Sequence, residues 1–203
     1  GTLEVDIKGH VIDPATAPQF DLAIDTSEFS PRKLLSELGQ TFPIQTADPK
    51  ALSRLMFNAR LNGSPQKVIL KDAKLSLDET QIELSATARD FAKPNLTFKL
   101  DLDQIDLDRY LPPPSQEKPT KAAEHPVARK ANDYRPLRRL KLDGAIHMDK
   151  VIIQKARVED LSLKITARNG LIKMDPLKMR LYQGNLILQS VMDVRRNKPQ
   201  NNA

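Results

Sequence analysis

Side chains capable of acid–base, metal or nucleophilic chemistry are few in this 203-residue sequence, and they are scattered. There are three histidines, and none stands at a ligand spacing such as His-x-x-x-His. His10 and His147 fall at polar positions of alternating stretches and His125 lies among prolines, which reads as solvated histidine rather than a metal centre. Asp101, Asp103, Asp106 and Asp108 crowd together as calcium ligands do, but the stretch lacks the glycine turn and closing glutamate of an EF-hand loop. Asp101 and Asp103 are the outward positions of a strand pattern, and Asp106 suits a helix cap. A glycosidase needs two carboxylates flanking a sugar; here the acids are spread over strand faces, and aromatics make up only 4% of the chain. Neither a Gly-x-Ser-x-Gly elbow nor a glycine-rich phosphate loop occurs. With zero cysteines, thiol catalysis and disulfides are excluded. The residue types predict a chain that is not an enzyme, with no catalytic residue, no metal ligand and no cofactor.

What remains to be positioned is apolar. Leu161, Leu163, Ile165 and Ala167 alternate with Ser162, Lys164, Thr166 and Arg168, the period of a strand with one dry face. Asn169-Gly170 follows and suits a two-residue turn needing positive φ twice, which would set Ala167 against Ile172 and Ile165 against Met174. Similar alternation marks Leu3–Ile7, Phe20–Ile24, Leu55–Leu61, Val68–Leu70, Ala73–Leu77, Ile82–Ala88, Leu96–Leu102, Leu140–Met148 and Asn185–Val194. Ser30-Pro31, with Leu34, Leu35 and Leu38 before Gly39, predicts a short helix. Asp48-Pro49, with Leu52 and Leu55, predicts a second. At Asp175-Pro176 the apolar parity switches from even to odd positions, which predicts a bulge or break.

Apolar content is 39% and charged content 29%, with fifteen prolines against seven glycines, a balance that short strands with proline-marked connections would give. No run approaches the eighteen or so apolar residues of a membrane-spanning helix, and no signal peptide is visible; Gly1 leads straight into a strand pattern, so the chain reads as an excised fragment. The net charge of +6 is concentrated between Pro112 and Lys141, where eight basic and three acidic residues supply most of the excess. With six prolines between Pro112 and Pro136 and a single aromatic, Tyr134, that stretch reads as a disordered, solvated tether rather than a nucleic-acid site. The expected organisation is a β-rich region with short helices over 1–111, a flexible basic linker over 112–136, and a β-meander and hairpin region over 137–203 packing with the first. Pro18–Leu35 aligns without gaps on Pro94–Leu111, 76 positions later, so that Phe20, Leu22 and Ile24 fall on Leu96, Phe98 and Leu100, and Ser30 on Asp106. Each copy is a strand, a proline turn, a strand and a helical start.

The ordered set Phe98–Leu100, Asp106-Leu107-Asp108-Arg109-Tyr110-Leu111-Pro112, Leu140-Lys-Leu-Asp-Gly144, Asn169-Gly170, Asp175-Pro176-Leu177, Leu181-Tyr182-Gln183-Gly184 and Asp193-Val194-Arg195 resembles the AsmA family of Gram-negative envelope proteins. Gln183 departs from the pattern, which has a glycine there. The resemblance implies a β-rich, groove-like periplasmic segment, anchored to the inner membrane by a part outside this sequence and involved in outer-membrane assembly and phospholipid passage.

Sequence and resemblance together predict a mainly β fold of antiparallel, curved or groove-like sheets, with two short helices and a disordered Pro-rich linker. The expected function is non-enzymatic: phospholipid or another acyl lipid carried along an apolar β groove in support of outer-membrane biogenesis. The alternative is a scaffold for outer-membrane proteins during their assembly, which would make outer-membrane assembly proteins its partners. No nucleic acid is expected. The groove candidates are Leu140, Leu142, Ile146, Met148, Leu161, Leu163 and Ile165.

Overall fold

A computed structural model of the chain describes residues 3–112, 135–195 and 200–202. Its strands are β1 (Val5–Ile12), β2 (Gln19–Thr26), β3 (Leu55–Ser64), β4 (Lys67–Leu77), β5 (Thr80–Arg89), β6 (Asn95–Asp106), β7 (Lys141–Ile153), β8 (Ala156–Arg168), β9 (Leu171–Leu181), β10 (Gly184–Asp193) and a short β11 (Gln200–Asn202). They form one sheet in which spatial order equals chain order. Three short helices accompany it: α1 (Pro31–Glu37), α2 (Leu107–Tyr110) and α3 (Arg135–Arg139).

Turn chemistry explains this order. Asp13 (φ 49°), Asp78 (φ 52°), Asp90 (φ 51°) and Asn169 (φ 53°) occupy hairpin turns in the left-handed region, which short polar side chains tolerate by bonding to nearby backbone. At Asn169-Gly170 both residues have positive φ, and the pairing is the one the sequence predicts, Ala167 with Ile172 and Ile165 with Met174. Adjacent strands are antiparallel throughout except β6 and β7, which run parallel from Asn95–Lys141 to Asp106–Ile152. A parallel pair needs a long return connection, and the chain between Asp106 and Lys141 provides it.

Several expectations are corrected. There is one sheet rather than several, and it contains one parallel pair. Among the described residues three short helices are present, not two. The second does not follow Asp48-Pro49. Asp48 Oδ1 accepts the Lys50 N–H at 2.8 Å as a cap would, but residues 49–52 form turns and Leu52 has φ 61°. The N–H groups of Leu52, Ser53 and Arg54 are instead drawn to the Asp78 carboxylate at 2.8, 3.0 and 3.0 Å. The helix implied by the internal repeat does form: Asp106 accepts the Asp108 N–H to open α2, as Ser30 accepts the Lys33 N–H to open α1. The stretches Val68–Leu70 and Ala73–Leu77 are one strand, β4, whose register against β5 shifts beside Asp72 (φ 48°). At Asp175-Pro176 the strand continues through a bulge, with Leu163 paired to Leu177 and Ile165 to Met174. Arg135 and Pro136, read as the end of the linker, open α3; residues 113–134 of that linker lie outside the described residues.

Among the described residues no second sheet covers this one. The buried apolar side chains there are correspondingly small: four alanines, three valines and Leu102. Helices sit by strand ends, α2 against β7 and α3 against β8.

Candidate functional site

The strand registers join the alternating apolar residues into rows that cross the sheet at right angles to the strands. One row runs unbroken over ten strands: Val11–Phe20–Gly63–Val68–Ala88–Leu96–Leu142–Ala167–Ile172–Met192. The next, two residues along each strand, is Gly9–Leu22–Leu61–Leu70–Ala86–Phe98–Gly144–Ile165–Met174–Ser190. A third runs from Ala73 through Leu84, Leu100, Ile146, Leu163 and Leu177 to Leu188, with Ile7, Ile24 and Ala59 continuing it beyond the β3–β4 bulge. A fourth includes Phe57, Leu75, Ile82, Leu102, Met148 and Leu161. At about 4.8 Å between strands, ten strands make a strip about 43 Å long; four rows at about 6.7 Å make it about 20 Å wide.

Much of the strip meets solvent. Its residues on β3–β9 are mostly half-buried, and on the outer strands Ile7 is 61%, Val11 55% and Leu188 45% exposed. A single layer leaves it so, because among the described residues no second sheet is packed over the middle rows. Phe98 fills the gap at Gly144 in its row: a Cβ there would collide with the Phe98 ring and with Ile165 Cγ2.

Six of the seven predicted groove residues come together on this strip. Met148 pairs with Leu161, Ile146 with Leu163, Ile165 with Gly144, and Leu142 with Ala167. Leu140 does not join them; it precedes β7 and lies half-buried outside the rows. Sequence reading missed the larger part of the surface, the contributions of β1–β6 and β9–β10. Their alternation was visible, but the order in which the strands pair was not, and the parallel β6–β7 junction is what joins Leu96, Phe98 and Leu100 to Leu142, Gly144 and Ile146.

One end of the sheet is closed by a polar clasp. Asp78, in the β4–β5 turn, accepts the three N–H groups of residues 52–54 and the Tyr110 hydroxyl, the last at 2.9 Å. Burial opposes ionisation of Asp78, but those four donors outweigh it and hold its carboxyl below the usual carboxylate range. Burial first, and the neighbouring Asp78 second, push the Tyr110 hydroxyl up to about 12. Arg109 donates from Nε to Asp48 at 2.8 Å and pairs with Glu79. The Lys50 N–H and then Arg109 keep the Asp48 carboxyl below its ordinary value. Asp108 accepts the N–H groups of Gln154 and Lys155 at 2.6 and 2.7 Å, fastening the β7–β8 turn to α2.

The acidic run that invited a calcium reading is thereby occupied. Asp101 pairs with Lys99, Asp103 accepts the Gln81 N–H, Asp106 caps α2 and Asp108 holds a turn. His147 bonds Asp149 at 2.9 Å on the face opposite the strip.

A model of the AsmA family matches residues 14–202, nearly the whole chain. No curated protein shows significant similarity to it, and no solved structure does.

Proposed function

Taking as premise that this chain belongs to the AsmA family, whose members serve envelope and outer-membrane biogenesis, we propose that it carries phospholipid acyl chains along its apolar strip. The observation that carries this reading is two adjacent apolar rows, one unbroken over ten strands and the other over the nine strands β1–β9, with no second sheet over them among the described residues. Each methylene moved from water to such a surface gains about 0.8 kcal/mol. The strip's width of about 20 Å exceeds half of a bilayer's hydrocarbon thickness, about 15 Å, so one acyl chain fits along the strands. The process is passive and non-enzymatic, needs no cofactor, and operates in the periplasm on a chain anchored to the inner membrane by a segment outside this sequence. Among the described residues no helix is long and apolar enough to cross a membrane.

Delipidated protein should bind a fluorescent acyl-chain probe and release it to phospholipid vesicles, and native mass spectrometry should find co-purified phospholipid. A protein that takes up no probe and carries no lipid would overturn the proposal. A second reading is favoured by one observation: the outer edge of β1 has no strand partner among the described residues. Such an edge can add a strand from a client β-barrel protein. Capture of an unfolded outer-membrane protein by a chain that binds no acyl probe would support that scaffold role instead.

A further inference from the structure

The two ends of the strands differ in electrical character. At the clasp end, cations and carboxylates neutralise one another: Arg54 with Glu79, Arg109 with Asp48 and Glu79, Arg157 with Glu159. At the other end, the last rung of the sheet runs Lys67–Arg89–Asn95–Lys141 in continuous register, and Arg168 follows Ala167, the partner of Leu142. None of Lys67, Arg89, Lys93, Lys141 and Arg168 has a carboxylate partner among the described residues. The nearby acids are few. Asp193 is bound to Arg195, Asp90 accepts the Lys93 N–H, and Asp143 lies two residues in from Lys141. Four of these cations span the five strands β4–β8, a width of about 19 Å.

A second feature lies in the middle of that edge. Phe91, in the β5–β6 turn between Arg89 and Lys93, is 53% exposed. The turn beneath it is fixed: the Asp90 N–H donates to the Gln66 carbonyl at 3.1 Å, and the Lys93 N–H to the Asp90 carbonyl at 2.9 Å. A rigid turn thus presents one aromatic ring to solvent, flanked by unpaired cations.

We infer that this edge is a contact surface for an anionic phospholipid bilayer, with Phe91 entering the headgroup layer and the row of cations lying on lipid phosphates. An interface of this kind accepts an apolar ring and basic side chains together, and long basic stems reach charge while their carbons stay in apolar surroundings. A polynucleotide offers the charge, but a lone ring gives it no series of stacking platforms. Docking here stands apart from acyl binding by the strip, so either can fail without the other.

The test is flotation of the whole 203-residue chain with vesicles of phosphatidylcholine, with and without phosphatidylglycerol. Binding should require phosphatidylglycerol and fall with added salt. Each cation near such a surface is worth about fivefold in affinity, so the triple variant Lys67→Glu, Arg89→Glu, Lys141→Glu should bind at least about a hundredfold more weakly. Phe91→Ser should lose about tenfold and keep the salt dependence. Circular dichroism of both variants should match the parent, so that weaker binding reports the edge and not the fold. Absence of binding to phosphatidylglycerol vesicles, or undiminished binding by a folded triple variant, would overturn the inference. So would equally tight binding to single-stranded DNA that Phe91→Ser leaves unchanged.

Discussion

Asp78 binds four donors with one carboxylate, three of them backbone N–H groups of a segment that otherwise has no reason to turn at Leu52. Replacing it with alanine strips those donors of their acceptor, and Asp78→Ala should cost about 2–3 kcal/mol in urea denaturation. The acid side follows from the same bonds. Because the Asp78 and Asp48 carboxyls titrate below their ordinary range, their contribution is present at neutral pH and is lost as pH falls through the lowered values. The alkaline side belongs to Tyr110. Its hydroxyl is raised from 10.0 to about 12, so the stability it adds is complete below the unfolded value and disappears as pH rises toward the folded one. Thermal melts of the parent should decline over that alkaline interval, and Tyr110→Phe should flatten the decline. None of this was legible in the sequence, because Asp78 and Tyr110 are 32 positions apart and nothing local marks either as the other's partner.

Strands were legible where side-chain alternation and turn chemistry agreed. Asn169-Gly170 set the β8–β9 register because both residues reach positive φ easily, and a shift by one residue would have put Ile165 and Ala167 on the wrong face. Asp48-Pro49 misled because a cap is only half a helix; the following N–H groups found a better acceptor than their own backbone. The surface over β7 could be guessed from Leu142, Ile146 and Met148, but its packing depends on Phe98 lying over Gly144 from a strand distant in sequence. Gly144→Val should therefore overpack this contact and cost about 1–3 kcal/mol, measurable by denaturant midpoint. At the sheet margin, β1 presents Val5, Ile7, Val11 and Ile12, each more than half exposed, beside an edge with no partner among the described residues. Such a margin invites pairing. Sedimentation should detect concentration-dependent association, and Ile7→Lys should reduce it.

At the scale of the molecule, each described strand pairs only with the strands next to it in sequence, so the sheet grows by addition, as in repeat proteins. The internal repeat reflects this growth: β2 and α1 correspond to β6 and α2, with Phe20 and Leu96, Leu22 and Phe98, and Ile24 and Leu100 lying in the same apolar rows. An additive sheet can be long without being thick, which leaves one apolar face open where a globular domain would bury it. That proportion, more than any single residue, is what supports the proposed binding of an extended apolar ligand.

The parallel β6–β7 junction has a kinetic consequence. Most hairpins here close over only a few residues, whereas this seam joins strands with 34 residues between them, an added closure entropy of about 2 kcal/mol. The β2–β3 pair, with 28 residues between its strands, carries nearly the same cost, so these two seams rather than the short hairpins are expected to close late in folding.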